Sequence, residues 1–189
     1  STVLSLSMTG CPKALVDRIP PEDAASFSDS AMASVFADLF EKDQEKITVS
    51  DLASIECFEI MTYSETNTVT IALEGYLDCI EQDSDDYEQY VKTVDITGKV
   101  FSNYDDFKYL TGLRQFSAIY TSFPNYDFLS ECKELEKFST SANYECHDYS
   151  ILASLPNLKS VSITEGSIDD LSFFSEMPGI TELSLDQMI

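Results

Sequence analysis

The sequence predicts an α/β solenoid, in which short strands form a parallel sheet and each strand is followed by a return segment. The first observation is an apolar spacing, seen at Leu158, Val161 and Ile163, that recurs along the second half of the chain. Its central residues are Val94, Phe116, Phe138, Val161 and Leu183, at steps of 22, 22, 23 and 22 residues. A period of roughly 20–29 residues with an L-x-x-L-x-L core is typical of leucine-rich repeats.

The second observation is that the register continues beyond each strand. One repeat cannot bury its apolar face alone, so residues in equivalent positions should form layers of a shared core. Only Asn143 occupies the position where such repeats often carry Asn, and we expect other groups to satisfy most of the turns. We predict a concave parallel sheet and a convex side of irregular or 3-10 segments. The predicted layers are Phe101, Phe123, Ile168; Tyr104, Tyr126, Tyr149, Leu171; Phe107, Leu129, Leu152, Phe174; and Leu110, Cys132, Leu155, Met177.

An amphipathic helix is predicted from Asp29 to about Lys42, because its apolar residues recur at helical spacing and make one stripe. Ser28 fits the N-cap position, with Phe27 packing on Met32. A second helical turn fits residues 50–55. Such helices cover the first layer of a solenoid. We therefore expect residues 1–55 to be a lead-in and helical cap, and residues 56–189 to be the repeat domain.

The repeat is interrupted by an irregular insertion near residues 61–88. Phe58 and Ile60 fit the first strand of the sheet, but Val94 follows Phe58 by 36 residues, more than one period. The alternating segment Thr68–Leu73 predicts a further strand. It either pairs with the first strand as a hairpin or forms a repeat strand itself, and we expect the hairpin.

The return segments resemble those of internalin-like leucine-rich repeat proteins of bacterial surfaces. The resemblance is carried by Ser167–Leu183, with its Ser-Ile-Asp-Asp-Leu-Ser start, and by Leu152–Lys159. Residues 46–55, Lys-Ile-Thr-Val-Ser-Asp-Leu-Ala-Ser-Ile, resemble the lead-in from the helical cap of that family. The resemblance implies a secreted or cell-surface protein of a bacterium that binds another protein. The sequence departs from the family by using Phe and Tyr at many Leu positions.

Charge argues against several classes of partner. The chain has 34 acidic and 11 basic residues, a net charge of −23. Nucleic-acid and anionic-lipid binding both need clustered basic residues. No apolar run approaches the roughly 18 residues of a membrane helix, so we expect no direct membrane insertion. The segment before Cys11 fits an ordinary strand or linker, although the end of a lipoprotein signal, with Cys11 lipidated, is the alternative.

The candidate chemical groups do not form a recognisable catalytic or metal site. The five cysteines lack a C-x-x-C pair, and the single His147 is not at a recognised zinc spacing. Cys132 fits a buried apolar position, and we expect free thiols. The acidic run at residues 81–88 lacks the spacing of a calcium loop. Asp105, Asp106, Asp169 and Asp170 should accept hydrogen bonds from local backbone groups. We expect a non-enzyme without cofactor or metal.

The concave sheet is the remaining candidate for a binding surface. Its outward positions should hold four of the eleven bases and five of the 34 acids, so this face is close to neutral inside an acidic protein. Four bases, Lys92, Arg114, Lys137 and Lys159, should form a ladder across adjacent strands. We predict a protein partner on this face; the alternative function is a rigid spacer in a larger surface protein. The candidate contact residues are Lys92, Asp95, Arg114, Gln115, Ser117, Ile119, Tyr120, Lys137, Lys159 and Ser162.

The C-terminal strand predicts a second kind of contact. Leu183 and Leu185 keep the repeat register, but only four residues follow Leu185. The last layer and the edge of the sheet would therefore be uncovered. Either the chain is part of a longer protein or copies meet at this edge, and we expect end-to-end self-association of the isolated chain.

Overall fold

The computed structural model describes residues 23–82 and 85–188 of the 189-residue chain. Within these ranges, three α-helices lie in the first half: α1 at Ser30–Phe40, α2 at Val49–Ala53 and α3 at Tyr76–Glu81. Helix α1 buries the apolar stripe read from the sequence, including Met32, Phe36 and Leu39. No helix within the described ranges is long and apolar enough to span a membrane. Cys11 lies outside the described residues.

In the part of the chain that the structure describes, seven strands form one sheet, in the order β3-β2-β1-β4-β5-β6-β7. Strands β1 and β4 to β7 run parallel in four successive pairs. Strand β1 follows helix α2, and each of β4 to β7 is reached through a 3-10 segment, so the fold is a leucine-rich repeat solenoid and that prediction is confirmed. The strands are β1 at Ile55–Tyr63, β2 at Thr66–Leu73, β3 at Val91–Asp95, β4 at Gln115–Ile119, β5 at Lys137–Ser141, β6 at Ser160–Thr164 and β7 at Glu182–Asp186. The 3-10 segments are Gln44–Lys46, Asp85–Tyr90, Asp105–Tyr109, Asp127–Glu131, Ser150–Ser154 and Ser172–Glu176.

The interruption of the repeat is a β-hairpin. Strand β2 pairs antiparallel with β1, with Thr66 opposite Tyr63, so the hairpin expected for residues 68–73 is present. The structure contradicts the prediction that Val94 belongs to the parallel stack. Strand β3 pairs antiparallel with β2 at the edge of the sheet, and β1 takes the place beside β4. The two strands of the hairpin thus separate β3 from the other repeat strands.

From β4 onward the predicted register is correct. Phe116 lies opposite Phe138, Phe138 opposite Val161, and Val161 opposite Leu183. The Phe116 ring also stacks on Phe58 of β1, with 6.2 Å between centroids and 2° between planes, and on Phe138 at 5.8 Å. Most of the predicted layers are buried in one core that extends from Met32 to Met177. Leu171 is an exception, since 52% of its surface is exposed in the last convex segment.

The cap is attached to the repeats by two carboxylates, each of which accepts hydrogen bonds from the opposite side of the junction. Asp29, not Ser28 as predicted, caps α1 by accepting a hydrogen bond from the Met32 N–H at 2.7 Å. Its other oxygen accepts hydrogen bonds from the N–H and hydroxyl of Ser102. Asp106, which is fully buried, accepts from the N–H groups of Ser28 and Asp29 at 2.8 and 3.1 Å.

One of the predicted local contacts differs in the structure, that of Asp106. Phe27 packs on the ring of Phe36, with centroids 6.0 Å apart, and the N-cap lies one residue later than predicted. Asp170 does bind local groups, accepting from the N–H and hydroxyl of Ser172. Asp106 instead contacts a segment 77 residues earlier in the chain.

Gly112 lies where the cap helix α2 meets the first repeat. A Cβ atom at this position would overlap the carbonyl oxygen of Ala53, the last residue of α2. The equivalent residues of later repeats include Gly179, where a Cβ would be 3.6 Å from the Leu158 carbonyl oxygen, an ordinary contact. Glycine is therefore needed at residue 112 for close approach of the two backbones.

The turn after β5 depends on the buried side chain of Asn143. Its amide donates hydrogen bonds to the Phe123 carbonyl at 3.0 Å and to the Tyr126 hydroxyl at 2.9 Å. Its oxygen accepts from the Phe123 N–H at 3.3 Å. Asn143 thus bonds to the preceding repeat, and its counterpart Thr121 bonds to the Ile119 carbonyl instead.

Candidate functional site

The concave face of the sheet consists of three rows of outward side chains. Core positions such as Phe116 and Ala118 alternate with outward positions such as Gln115, Ser117 and Ile119. Because the pairing is in register, outward residues of neighbouring strands lie side by side. The first row is Val91, Ala72, Cys57, Gln115, Lys137, Ser160 and Glu182; the central row is Thr93, Thr70, Glu59, Ser117, Ser139, Ser162 and Ser184; and the third row is Asp95, Thr68, Met61, Ile119, Ser141, Thr164 and Asp186.

The central row carries hydroxyl groups at every position except one. Six of its seven residues are Ser or Thr, and the seventh is Glu59 on β1. Adjacent strands are about 4.8 Å apart, so this row is a band of small polar groups across the whole sheet. Small side chains leave the backbone accessible and make the floor of the concave face shallow and polar.

A depression of about 400 Å³ lies where the hairpin joins the repeats. Its size is at the small end of the range of about 300–1,000 Å³ for ligand sites, so it suits one side chain or a small ligand. Tyr76, the first residue of α3, forms part of its wall. Outward residues from the hairpin side are Cys57, Glu59, Thr70, Ala72 and Val91, and those from the repeats are Gln115, Ser117, Lys137, Ser139, Ser160 and Ser162.

Four of the ten predicted contact residues line this depression: Gln115, Ser117, Lys137 and Ser162. Asp95 and Ile119 lie in the third row, and Tyr120 follows β4. Lys92 does not belong to the concave face. It lies opposite Ile71, which lies opposite buried Phe58, so it is on the core side of the sheet. The error arises because β3 begins at Val91, so Lys92 lies within the strand and shares a face with Val94 two residues later.

The predicted basic ladder is replaced by a chain of ion pairs in which acidic and basic side chains alternate. Arg114 Nη2 lies 2.8 Å from Glu136 Oε1, and Lys159 Nζ lies 2.9 Å from Glu136 Oε2. Arg114 Nη1 also lies 3.7 Å from Glu56 Oε1, and Glu56 accepts a hydrogen bond from the Leu77 N–H. The hydrogen bond from Lys159, with further help from Arg114, lowers the pKa of Glu136 despite partial burial. Arg114 and Lys159 are therefore already paired within the protein.

An aromatic patch lies at the C-terminal ends of β1 and β4. It is formed by Met61 and Ile119 of the third row together with Tyr63 and Tyr120. The Tyr63 and Tyr120 rings pack with centroids 4.4 Å apart. Tyr63 is 54% exposed and Tyr120 41% exposed, so the pair covers itself only in part. Met61 lies opposite Ile119 in the strand register. The Thr62 hydroxyl donates to the Tyr120 carbonyl and holds the two strand ends together.

Sequence reasoning found Ile119 and Tyr120 but missed Met61 and Tyr63, together with Glu59 and Tyr76. All four missed residues belong to the hairpin or to α3, where the repeat register could not be applied. The alternation around residues 57–63 was a usable signal, because Phe58 and Ile60 were already assigned to the core and the odd-numbered residues must point outward.

The thiols of Cys57, Cys132 and Cys146 are not activated as nucleophiles. Burial, with a smaller contribution from Glu56, raises the pKa of Cys57 to about 12, although this thiol lines the depression. Burial also raises the pKa of Cys132 to about 12 and that of Cys146 to about 11. Cys132 lies in the core, as predicted. Cys146 donates to the Asp148 carbonyl, while exposed His147 lies near Asp169, so the adjacent Cys and His diverge.

Within residues 23–82 and 85–188, no group of three or more His, Cys, Asp or Glu side chains could hold a metal ion. Part of the acidic run at residues 81–88 lies outside this range; its ends belong to α3 and to a 3-10 segment.

No known family profile matches the chain, and no curated protein matches it. Among solved structures it is similar to an internalin, InlF of Listeria monocytogenes, at 18% identity and a TM-score of 0.45, covering 86% of this chain and 44% of that one. It is also similar to internalin C2 of the same organism, at 15% identity and a TM-score of 0.37, covering 86% of this chain and 87% of that one. This chain thus spans under half the length of InlF.

Both structures are internalins, the proteins that the return segments resemble. The assignment of the fold depends on the strand register described above.

Proposed function

We propose that this chain is a non-catalytic binding module whose concave face holds a protein partner outside a bacterial cell. The observation that carries this proposal is the aromatic patch, since exposed, partly stacked tyrosines on a regular sheet are unusual on a surface with no partner. Tyr is among the residues that most often dominate protein–protein interfaces. The polar hydroxyl row beside the patch supplies hydrogen-bonding groups of the kind found at interface rims.

Several features support the finer parts of the proposal. A net charge of −23 disfavours nucleic acid and anionic lipid as partners. The raised thiol pKa values speak against cysteine catalysis. The extracellular location is supported by the resemblance of the return segments to internalin-like repeats, and lipid anchoring at Cys11 stays a possibility that rests on the sequence alone. We also propose that residues 1–55 form a lead-in and helical cap and that residues 56–189 form the repeat domain.

Site-specific photo-crosslinking tests the proposal. A photoreactive phenylalanine analogue is placed at Ser141 on the concave face or at exposed Ser150 on the convex side, and each protein is incubated with surface proteins of the natural host. We expect one or a few host proteins to crosslink from residue 141, and to be lost in a Tyr63→Ala/Tyr120→Ala variant. Equal crosslinking from both positions, or none from residue 141, would overturn the proposal and favour the spacer function.

We propose in addition that the isolated chain self-associates through β7. This strand is at the edge of the sheet, and Leu183 is 49% exposed there. An open edge strand with apolar side chains favours pairing with another chain. Light scattering should show a concentration-dependent increase in mass that Leu183→Lys abolishes, and a monomer at all concentrations would contradict the proposal.

A further inference from the structure

The carboxylate of Glu59 lies on the floor of the concave depression. Among residues 23–82 and 85–188, its side chain has no hydrogen bond and no ion pair. It is half-buried between Thr70 of β2 and Ser117 of β4 in the strand register. Other half-buried carboxylates nearby are satisfied, since Glu56 and Glu136 both contact Arg114. A partly desolvated, unpaired charge is unfavourable and favours a cationic ligand.

The surroundings of Glu59 suit a long, planar cation. Tyr76 lines the same depression; burial, then Cys57 and Tyr87, and last the charge of Glu59 raise the pKa of its phenol, so the two side chains are close. Ala72 and Val91 add apolar surface beside Tyr76 for an aliphatic stem. Thr70 and Ser117 flank the carboxylate with hydroxyl oxygens that can accept further hydrogen bonds.

Lys137 lies at the opposite side of the depression and limits where a cation can be held. It is two strands away from β1 and two residues along, which places its Cα about 12 Å from that of Glu59. Its side chain is exposed and has no ion pair within the described part of the chain. A cation is therefore attracted to the hairpin side and repelled from the repeat side.

We propose that this depression binds an arginine side chain of the protein partner. The guanidinium lies on the Glu59 carboxylate and stacks on Tyr76, while Thr70 and Ser117 accept its remaining N–H donors. Arginine fits better than lysine because its guanidinium is planar, stacks on aromatic rings and offers five donors. The net charge of −23 attracts a basic segment at long range. This inference rests on the proposed protein-binding function and adds the chemistry of the residue that is recognised.

The test uses the full chain and short peptides, so it does not require the natural partner. Isotope-labelled protein is titrated with acetyl-Gly-Arg-Gly-amide at low ionic strength, and amide shifts are followed by NMR. We expect shifts confined to strands β1, β2 and β4 and to α3, with millimolar affinity. The peptide with citrulline, a neutral analogue of arginine, should bind about five- to tenfold more weakly, and the lysine peptide should lie between the two.

Matched variants separate a specific site from general attraction. Glu59→Gln should weaken binding about five- to tenfold. Glu182→Gln removes the same charge from the same face, four strands and two residues along, about 20 Å away, and should leave the affinity unchanged. Tyr76→Ala should weaken binding by a factor of about two to five. Lys137→Gln should strengthen it.

Equal losses in the Glu59 and Glu182 variants, or shifts spread over the whole acidic surface, would overturn the inference. If the peptide does not bind but crosslinking from Ser141 succeeds, only the arginine inference fails. If the peptide binds as expected but crosslinking fails, the protein-binding function fails and the depression is a site for a small guanidinium compound.

Discussion

The junction between the cap and the repeats should be sensitive to the loss of a single oxygen atom at Asp106. This fully buried carboxylate accepts hydrogen bonds from the Ser28 N–H at 2.8 Å, the Ser28 hydroxyl at 3.0 Å and the Asp29 N–H at 3.1 Å. In Asp106→Asn the amide oxygen can serve Ser28, but the NH₂ group then faces the Asp29 N–H. One buried donor is left without an acceptor at the start of α1.

The cost can be estimated from these contacts. An unsatisfied buried donor costs about 1–3 kcal/mol, and changing the other two bonds from charged to neutral acceptors costs roughly 1 kcal/mol each. The sum of about 3–5 kcal/mol is a large part of a typical stability of about 5–15 kcal/mol. For a chain of this size it corresponds to a decrease in Tm of about 6–20 °C.

Chemical denaturation followed by circular dichroism measures this cost, with Asp105→Asn as the matched control. Asp105 is the exposed neighbour of Asp106, so the same substitution there should change the stability by less than about 0.5 kcal/mol. An Asp106→Asn variant as stable as the parent would refute the reasoning. It would mean that repulsion between the Asp29 and Asp106 carboxylates cancels the benefit of the hydrogen bonds.

Three further predictions concern packing and pH. Leu155→Ala should lower the free energy of unfolding by about 2–5 kcal/mol because it opens a cavity between repeats. Tyr120→Ala at the exposed patch should lower it little, and the opposite order in thermal melts would contradict the register. Gly112→Ala should destabilise the protein by about 1–3 kcal/mol through overlap with the end of α2, while the equivalent Gly179→Ala should be tolerated. Equal effects of the two substitutions would show that the close approach of the two backbones at Gly112 is not the cause. Burial raises the pKa of Asp29, but the hydrogen bonds that its carboxylate accepts lower it by more, so the folded-state pKa lies below 3.8. The contribution of Asp29 to stability is therefore present above about pH 4 and lost as the pH falls through the folded-state pKa. The stability difference between the parent and Asp29→Asn should therefore shrink in acid, and a constant difference would contradict this.

The sequence was sufficient for β4 to β7 because the repeat carries its own register. Phe116, Phe138 and Val161 each fall opposite their counterpart one period later, as a regular solenoid requires. Helix α1 was equally predictable, since one apolar stripe and a nearby capping residue define it. These elements depend on local patterns, and the local patterns agree with the fold.

The position of β3 was not predictable in the same way. Val91, Val94 and Ile96 have the spacing of a repeat strand, but spacing does not say which strand is the neighbour. That choice depends on the hairpin, whose β2 strand offers an edge to Val94 through Val69. Strand β3 also begins two residues earlier in the repeat than β4 to β7 do. Lys92 therefore lies within the strand and, because side chains alternate between faces, shares the core side with Val94.

The residues of the candidate site were likewise predictable where they belong to regular repeats. Gln115, Ser117, Lys137 and Ser162 were found because they belong to regular repeats. The pairing of Arg114 with Glu136 was also accessible, because the two residues are 22 apart, one repeat, and must lie side by side. Because Glu136 attracts the neighbouring bases, a ladder of unpaired bases is unfavourable. The ladder was predicted from the number of charges on the face, without asking which of them would form ion pairs.

The hairpin gives one end of the concave face groups that the repeats lack. A regular stack of parallel strands repeats similar side chains at each step, and here that step gives Ser117, Ser139 and Ser162 in the central row. A specific contact needs a place where the period is broken. The β1–β2 hairpin and α3 break it, because they put a carboxylate, Glu59, in line with the hydroxyls and an aromatic ring, Tyr76, beside it. The same hairpin supplies half of the aromatic patch. Recognition should therefore centre on the junction between hairpin and repeats, with the regular strands serving as the rigid support that holds both groups in place.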